Sequence, residues 1–382
     1  MEVKIIRGEN QIGGNIIEVA TESTKIILDV GLELDDEKNS KLPNVPGLFN
    51  YAGYDAVLIS HYHGDHVGLA YSLAAGIPLY IGEASHKILK ASDAYKGKET
   101  ISVYGYLKHK TAISIGDITV TPFLCDHSAF DSYMLLCEGD GERILYTGDF
   151  RSNGRKSYDR LLHELPSYVD ILICEGTTLS RDGYLAITEH ELENEAVSLF
   201  RDTEGPVFVL QSSMNIDRIV TMYRAAKRSG RIFLEELYMA DITSAIGGSI
   251  PNPAFSDVYP FITSQRRYDG LCKYQNRVGK DFITKSKFVM CVRNSMTRYL
   301  KSLSKKMELS GGLLVYSFWN GYKETDSMKE FLGECEKLGL KIVTLHTSGH
   351  ADAEAIKDLI EKTKPKTVLP IHTENAEWFK GF

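Results

Sequence analysis

Cysteine is scarce in this chain: there are six in 382 residues, and no two of them form a C-x-x-C pair. Small secreted domains held by disulfides, and zinc ribbons, depend on closely spaced cysteines, so the sequence excludes both classes. Several of the six lie in apolar segments such as residues 171–174. This placement predicts reduced thiols in the core of a cytoplasmic protein.

Long apolar runs are also missing. No stretch reaches the roughly 18 residues that a membrane-spanning helix requires, so we expect no membrane partner. Charged residues interrupt the apolar N-terminal segment 1–7, which is not typical of a signal peptide. The net charge is only −7, with 25% charged and 43% hydrophobic residues. These are ordinary values for a globular protein, and gross charge alone does not indicate nucleic acid.

Secondary-structure patterns differ along the chain. Short apolar or alternating segments predict many strands between residues 15 and 174, whereas residues 189–200, 215–229 and 326–338 read as long helices. The strands and helices do not alternate strictly. The patterns therefore predict an α/β mixture that changes character after about residue 180.

Histidine is sparse, yet three of the 11 histidines fall within six residues, in the pattern H-x-H-x-D-H at His61, His63, Asp65 and His66. An apolar run over 56–59 precedes them and predicts a buried strand. Because side chains alternate along a strand, His61 and His63 point the same way, with Asp65 and His66 on the next turn. Imidazole and carboxylate ligands suit zinc and related divalent ions. The segment therefore predicts a metal site rather than a polar surface loop.

Three further candidate ligands, His127, Asp149 and His372, each follow an apolar segment that reads as a strand. Taken singly, such a residue is more typical of a cap or a turn. Together with the hexapeptide they complete two sites, with His61, His63 and His127 on one ion, Asp65, His66 and His372 on the second, and Asp149 as the bridge. We therefore expect two divalent metal ions per chain, zinc first and manganese as the alternative.

The order of these motifs resembles the metallo-β-lactamase superfamily, in which Asp29 matches the first aspartate motif that supports the ligands. Beyond Asp149 the resemblance narrows to the β-CASP branch, on Glu175, His350 and His372. Segments 9–15 and 212–219 are similar to ribonuclease J. Ribonuclease J carries a further C-terminal domain, whereas this sequence ends ten residues after His372. The resemblance therefore implies nothing about an oligomer or processivity that depends on that domain, and the oligomeric state stays open.

The fold class implied by the resemblance is α/β (α+β), a four-layer αββα metallo-β-lactamase sandwich with an inserted β-CASP α/β cap domain. Residues 1–180 would form the first part of the metallo-β-lactamase domain, 185–340 the β-CASP domain, and 341–382 the completion of the first. The metals would lie at one edge of the two sheets, with the substrate in the cleft beneath the cap.

A basic segment lies within the predicted insertion. Residues 265–306 contain twelve Lys and Arg, including Arg266 and Arg267, against two Asp. Five aromatic residues are interleaved: Tyr268, Tyr274, Phe282, Phe288 and Tyr299. Basic side chains track phosphates and aromatic rings stack on bases, so in a cap over two metals we expect this segment to bind nucleic acid. The alternative is a solvated helical face with core aromatics, and we expect Phe282 and Phe288 in the core.

Three serines are the remaining candidate substrate contacts. Ser212 and Ser213 precede a predicted helix whose N-terminus favours anions, although an ordinary N-cap also explains them. Ser348 lies two residues before His350, in a segment that reads either as part of the site or as a turn before a helix.

The function implied by the resemblance is two-metal hydrolysis of a phosphodiester in RNA, cut internally or trimmed from a 5′ end. Asp65 would bind a metal and orient the nucleophile, His350 would protonate the leaving oxygen, and Glu175 would hold a histidine in its working tautomer. A nuclease of the same branch acting on single-stranded DNA would share every motif. A small-molecule metallo-hydrolase would need no basic cap, and the complete ligand set argues against a non-enzymatic homologue.

Overall fold

The computed structural model describes residues 1–34, 42–181 and 186–382. Its strands, in chain order, are β1 (Glu2–Arg7), β2 (Ile16–Ala20), β3 (Lys25–Leu28), β4 (Ala56–Leu58), β5 (Leu79–Gly82), β6 (Gly105–Leu107), β7 (Ile113–Ile115), β8 (Ile118–Cys125), β9 (Ser132–Gly139), β10 (Glu142–Tyr146), β11 (Ile171–Glu175), β12 (Val207–Leu210), β13 (Ile232–Glu236), β14 (Val258–Phe261), β15 (Phe288–Val292), β16 (Leu313–Tyr316), β17 (Lys341–Thr344) and β18 (Thr367–Ile371).

Its α-helices are α1 (Gly64–Val67), α2 (Glu83–Lys96), α3 (Tyr158–Glu164), α4 (Glu189–Asp202), α5 (Ile216–Arg228), α6 (Leu237–Ile246), α7 (Tyr268–Leu271), α8 (Lys280–Ile283), α9 (Thr297–Leu303), α10 (Asp326–Lys337) and α11 (Ala353–Thr363). The three long helices predicted after residue 180 correspond to α4, α5 and α10. Short 3₁₀ turns cover Gly68–Ser72, Gln265–Arg267, Asn294–Met296, Asn320–Glu324 and Ala376–Gly381.

Contacts divide the described chain into two compact units, residues 1–186 with 349–382, and residues 187–348. The predicted metallo-β-lactamase domain includes residues 341–348, whereas the contacts group these residues with the second unit. The reason is that β17 continues the second unit's sheet by pairing in parallel with β16, and Ile342 packs against that unit's core.

The first unit contains two six-stranded sheets, with strand orders β1-β2-β3-β4-β5-β6 and β18-β11-β10-β9-β8-β7. Apolar residues of both sheets, among them Leu28, Leu58, Leu135 and Ile173, fill one shared core. The outer face of the second sheet packs against α3 and α11, through residues such as Leu161 and Leu359.

Helix α2 contacts β5 of the first sheet and buries Ile88 and Leu89. Helices thus flank the two sheets, as expected when each sheet has one apolar face left to cover. The predicted four-layer αββα arrangement is confirmed for this unit.

The second unit is built on one sheet with the order β14-β13-β15-β12-β16-β17, in which each neighbouring pair is parallel. Its inner strands β12, β15 and β16 are continuous apolar runs, as is typical of a parallel sheet that is covered on both faces. Asn215 caps α5 by accepting a hydrogen bond from Arg218 N at 3.0 Å. The α/β character predicted for the insertion is confirmed.

All six cysteines are free thiols, as predicted, and five of them are buried. Cys272 is exposed, so the prediction of a core position is wrong there, because it lies in a turn that follows α7. In the part of the chain that the structure describes, no helix combines the length and the apolar character needed to cross a membrane.

Candidate metal centre

The candidate ligands lie just beyond the ends of four strands of the first unit. His61 and His63 follow β4, and His127 follows β8. Asp149 follows β10, while His372 comes directly after β18, which pairs in parallel with β11. The rigid sheets thus fix each ligand by its backbone, and these side chains are brought together as predicted.

One carboxylate oxygen stands at the centre of this cluster. Asp149 Oδ2 lies 3.7 Å from His61 Nε2, 3.1 Å from His66 Nε2, 3.8 Å from His127 Nε2 and 3.9 Å from His372 Nε2. These histidines belong to both predicted ligand sets. The predicted bridging position of Asp149 therefore has a geometric basis.

Among the described residues the possible ligand atoms fall into three groups, of which two contain the predicted sets and the third joins Asp149 and His372 with Glu175 and His350. His61, His63 and His127 form one group, and Asp65, His66, Asp149 and His372 form another, each with its ligand atoms within 4.8 Å of one another. Within the second group, Asp65 Oδ2 lies 3.1 Å from His372 Nε2.

Several of these atoms are buried without a hydrogen bond. Among the described residues, His61 Nε2, His66 Nε2 and both carboxylate oxygens of Asp149 have no hydrogen-bond partner. Such a group costs roughly 1–3 kcal/mol if it stays unsatisfied, and more if it is charged. Imidazole nitrogens and a carboxylate that converge in this way fit divalent cations, which would satisfy all of them.

The pKa shifts of His61, His63 and Asp149 agree with cation binding. Burial, together with the neighbouring His66, keeps the pKa of His61 well below its usual value, and burial lowers the pKa of His63 to about 4. Both rings are therefore neutral near pH 7, the state that binds metal. Although burial opposes it, His372 and His66 hold the pKa of Asp149 well below the usual range, so its carboxylate is charged.

The Nδ1 atoms of His61 and His66, on the far side of each ring from Asp149, contact Ser60 and Asp29. Asp29 lies in a left-handed conformation, with φ 59°, at the end of β3, and its carboxylate accepts from His66 Nδ1 at 2.7 Å. It also accepts from Ser60 Oγ at 2.7 Å and from the Tyr146 hydroxyl. Ser60 Oγ in turn lies 3.0 Å from His61 Nδ1. These contacts leave the Nε2 atoms of both histidines facing Asp149.

A second hydroxyl, that of Thr177, contacts His372 in the same way. Thr177 Oγ1 donates to Glu175 Oε2 at 2.6 Å and lies 2.7 Å from His372 Nδ1. Since the single hydroxyl proton goes to the carboxylate, the oxygen accepts from His372 Nδ1–H, which leaves Nε2 as the candidate ligand atom. His350 Nδ1 lies 3.1 Å from the same Glu175 oxygen. Thr177 therefore connects a ligand histidine with the carboxylate that holds His350.

Backbone conformation is also specialised at this edge. His372 has φ 50°, a left-handed conformation that is uncommon for a residue other than glycine, and its N–H donates to Gly8 O at 2.7 Å. A Cβ at Gly31 would lie 1.7 Å from Asp65 O, so only glycine allows that approach. His127 Nδ1 bonds the carbonyl of Gly349, which leaves its Nε2 facing the cluster.

The predicted substrate contacts lie in the second unit. Ser212 and Ser213 precede α5 and line a cavity, while Ser348 is buried at the end of the unit. Arg266 and Arg267 are exposed in a 3₁₀ turn. Whether these residues contact a substrate stays a prediction.

The basic segment is less positive than its composition implied. At least five of its twelve cations pair with acidic residues, as the bridges Lys273–Asp241, Lys287–Glu204, Arg293–Glu236, Lys301–Glu334 and Lys306–Asp281 show. Of its aromatic residues, Tyr268 and Phe282 are each 42% exposed. The core position predicted for Phe282 is therefore wrong, because the short helix α8 buries Ile283 instead, whereas that of Phe288 is confirmed.

Ser60 and Thr177 were not among the predicted site residues. Each lies one or two positions from a motif residue, Ser60 before His61 and Thr177 after Glu175. That adjacency is the signal the sequence offered, but it does not reveal which atom each hydroxyl faces.

Two families match the chain. A beta-lactamase superfamily domain matches residues 24–211, and a Zn-dependent metallo-hydrolase RNA specificity domain matches residues 337–380. A solved structure from Enterococcus faecalis, described as a protein of unknown function, aligns with a TM-score of 0.82 and 22% identity over 98% of this chain and 94% of that one. At that identity the likeness shows the fold alone.

Curated relatives extend the comparison over most of the chain. A ribonuclease J of Sinorhizobium meliloti is 22% identical over 84% of this chain and 58% of its own length. A ribonuclease J of Helicobacter pylori is 23% identical over 98% of this chain and 56% of its own length. A protein of Methanocaldococcus jannaschii named Probable RNase MJ4 is 24% identical over 99% of this chain and 94% of its own. The chain thus spans a little over half the length of the two ribonuclease J relatives.

Proposed function

We propose that this chain, which belongs to the β-CASP, ribonuclease J-like branch of the metallo-β-lactamase superfamily, is a two-metal hydrolase of RNA phosphodiesters. The observation that carries the proposal is the convergence of four histidine Nε2 atoms on Asp149 Oδ2 within 3.9 Å, in a buried cluster where neither carboxylate oxygen of Asp149 has a hydrogen-bond partner among the described residues. A structural ion pair would need one such histidine, not four.

The residues that would hold the metals are the two predicted sets. His61, His63 and His127 would bind one ion, Asp65, His66 and His372 the second, and Asp149 both. Zinc fits this donor set, and manganese is the alternative. Such ions, when bound, lower the pKa of water and offset the charge that develops on a phosphate.

His350 is the proposed general acid. Its ring is buried, and although burial opposes it, Glu175 and Asp149 raise the pKa of His350, which favours the protonated ring. Its Nδ1 lies 3.1 Å from Glu175 Oε2, so Nε2 is the atom from which a proton would pass to the departing oxygen. Glu175 fixes this orientation, and it also accepts from Phe150 N at 2.8 Å, next to Asp149.

Asp65 has two proposed roles at the second ion. Its carboxylate lies 3.1 Å from His372 Nε2 and shares a ligand group with His66. Burial opposes ionisation, but His66 and His372 hold the pKa of Asp65 well below the usual range. A carboxylate that stays charged in this position would help to hold a metal ion and would orient the attacking water.

RNA is the proposed substrate class. The names of the relatives and of the C-terminal family support RNA. The exposed cations Arg266 and Arg267 add a surface that suits phosphates. We propose a cytoplasmic location on the same comparison with ribonuclease J.

The test is an assay of end-labelled RNA and DNA of matched sequence, incubated with zinc or manganese, with product lengths resolved. We expect cleavage of RNA, and the product lengths distinguish internal cutting from 5′ trimming. Cleavage of single-stranded DNA with RNA left intact would contradict the substrate class. No cleavage of either by metal-loaded protein would contradict the function.

The matched variant is His350→Ala. It should retain its metal and fold normally, while RNA cleavage falls at least about a hundredfold, in the range of general-acid contributions. A substrate with a much better leaving group should lose less, because its departing oxygen needs no proton. Near wild-type cleavage of RNA would remove His350 from the mechanism, and loss of metal would make it a ligand instead.

A further inference from the structure

A cavity of about 410 Å³ lies at the carboxyl end of the second unit's parallel sheet. Its walls follow directly on the strands: Gln211 comes after β12, Tyr238 after β13, Arg293 after β15 and Phe318 shortly after β16. Ligand sites of open parallel sheets lie at this end of the strands, and small-molecule pockets span roughly 300–1,000 Å³. Both position and size therefore fit a ligand site within this unit.

A buried amide in the wall lacks part of its hydrogen bonding. Gln211 is 1% exposed, and its Nε2 lies 3.6 Å from Cys291 Sγ. Its Oε1 has no hydrogen-bond partner among the described residues. An unsatisfied buried carbonyl costs about 1–3 kcal/mol, so a hydrogen-bonding ligand would stabilise this arrangement. Asn294 adds a second amide to the same cavity.

The charge of the cavity argues against an anion. Arg293 lines it, and no other Lys or Arg of the described chain does. Arg293 Nη2 lies 2.6 Å from Glu236 Oε2, and its guanidinium lies 5.3 Å from the ring centre of Tyr238. Because its charge is already offset, the cavity offers no free positive charge for a phosphate. A neutral ligand with donors and acceptors fits better.

Aromatic rings complete the wall. Phe318 and Tyr322 both line the cavity, with ring centres 6.2 Å apart and planes at 88°, and Tyr322 is 47% exposed. Unpaired nucleobases are bound by this combination of ring contacts and hydrogen bonds to their edges. We propose that this cavity binds a single unpaired nucleobase of the RNA chain. This inference rests on the proposed function, which takes RNA as the substrate.

The test uses the full metal-loaded chain and three probes: uridine, adenosine and inorganic phosphate, each followed by titration calorimetry. At least one nucleoside should bind and phosphate should not compete with it. Tyr322→Ala should weaken nucleoside binding at least about fivefold, since stacking on an aromatic ring contributes about 1–3 kcal/mol per base. Gln211→Met should weaken it as well, because the variant removes the amide that would hydrogen-bond the base. Tyr322 is half exposed, so its variant tests the cavity even if the buried Gln211 variant is unstable.

Tyr104→Ala, at an exposed ring of the first unit that does not line the cavity, is the control and should bind nucleosides as the wild type does. In RNA cleavage, Tyr322→Ala should raise KM at least about fivefold with kcat little changed, which identifies the RNA chain as the source of the base. If Tyr322→Ala loses nucleoside binding but keeps its KM for RNA, the cavity binds a free nucleoside. That result would overturn the proposal that the bound base belongs to the RNA chain.

Failure of this inference is distinguishable from failure of the proposed function. If the wild type cleaves RNA but no nucleoside binds up to its solubility limit, or the Tyr322 variant binds as the wild type does, the cavity is not a base site and the function stands. If the wild type cleaves no RNA under any metal condition, the proposed function has failed, and with it the RNA source of the base.

Discussion

Removing the Thr177 hydroxyl should weaken metal binding without touching any ligand. Thr177→Val keeps the shape of the side chain but deletes an oxygen that donates to Glu175 Oε2 at 2.6 Å and accepts from His372 Nδ1–H at 2.7 Å. His372 then loses the contact that fixes its tautomer, while Glu175 loses a donor. Changes in such supporting residues typically cost about 10–100-fold in metal affinity, or roughly 1.4–2.8 kcal/mol.

The assay is competition for zinc against a chromophoric chelator, with the full chain and its variants at the same pH. We expect one of the two ions to be held about 10–100-fold less tightly in Thr177→Val. Thr177→Ser restores the hydroxyl and should restore affinity. Thr178→Val is the matched control, because Thr178 is as buried as Thr177. Its hydroxyl donates to the carbonyl of Ala351 and not to a residue of the candidate metal centre.

These variants separate positioning from general stability. Thr177→Val and Thr178→Val should lose similar free energies of unfolding, of the order of 1–3 kcal/mol for a buried group left unpaired. Only Thr177→Val should lose zinc affinity. The reasoning is refuted if both valine variants bind zinc as the wild type does, or if the serine variant is as weak as the valine variant.

Two further predictions concern the second unit. Burial raises the pKa of Glu235 to about 8. Between about pH 4.3 and 8 its side chain is therefore neutral in the folded protein and charged in the unfolded protein. The folded state is destabilised more and more as the pH rises through this range. The free energy of unfolding of Glu235→Gln should therefore exceed that of the wild type by an amount that grows by about 3 kcal/mol from pH 5 to pH 8. A difference that does not change with pH in denaturant titrations would contradict this. Reversing the charges of Arg266 and Arg267 should weaken RNA binding and lower the salt slope by up to about 0.7 per lost contact, whereas an unchanged slope would make them a solvated surface.

The clustering of the candidate ligands was predictable in part because four of them form a local pattern. The spacing after an apolar strand indicates four of them: His61, His63, Asp65 and His66. The remaining three, His127, Asp149 and His372, each follow the end of a strand and match motifs of the family that the sequence resembles. The αββα sandwich followed from that resemblance. Positions at strand ends are set by backbone geometry, which the period of the sequence reveals.

What the sequence could not reveal depends on tertiary partners. Glu236, Glu334 and Asp241, which neutralise cations of the basic segment, lie outside that segment, so counting charge along it overstated the charge available to RNA. The second unit extends to residue 348 rather than to the predicted 340, because β17 pairs with β16. Strand β17 is only half-buried, as is typical of an edge strand, and its own residues do not indicate which strand it pairs with.

The supporting hydroxyls were missed for a related reason. A serine or threonine beside a histidine is common in any chain, and its role depends on where its oxygen points. Ser60 and Thr177 acquire their roles only when Asp29 and Glu175 are brought beside them by the fold.

The most direct test of a two-metal centre is the metal content of the purified full chain and of Asp149→Ala, measured by elemental analysis after equilibration with zinc. The account predicts about two ions per wild-type chain and impaired binding of both in Asp149→Ala, because Asp149 Oδ2 lies within 3.9 Å of histidines from both ligand sets. Fewer than one ion per wild-type chain, with none taken up on addition of zinc or manganese, would contradict it.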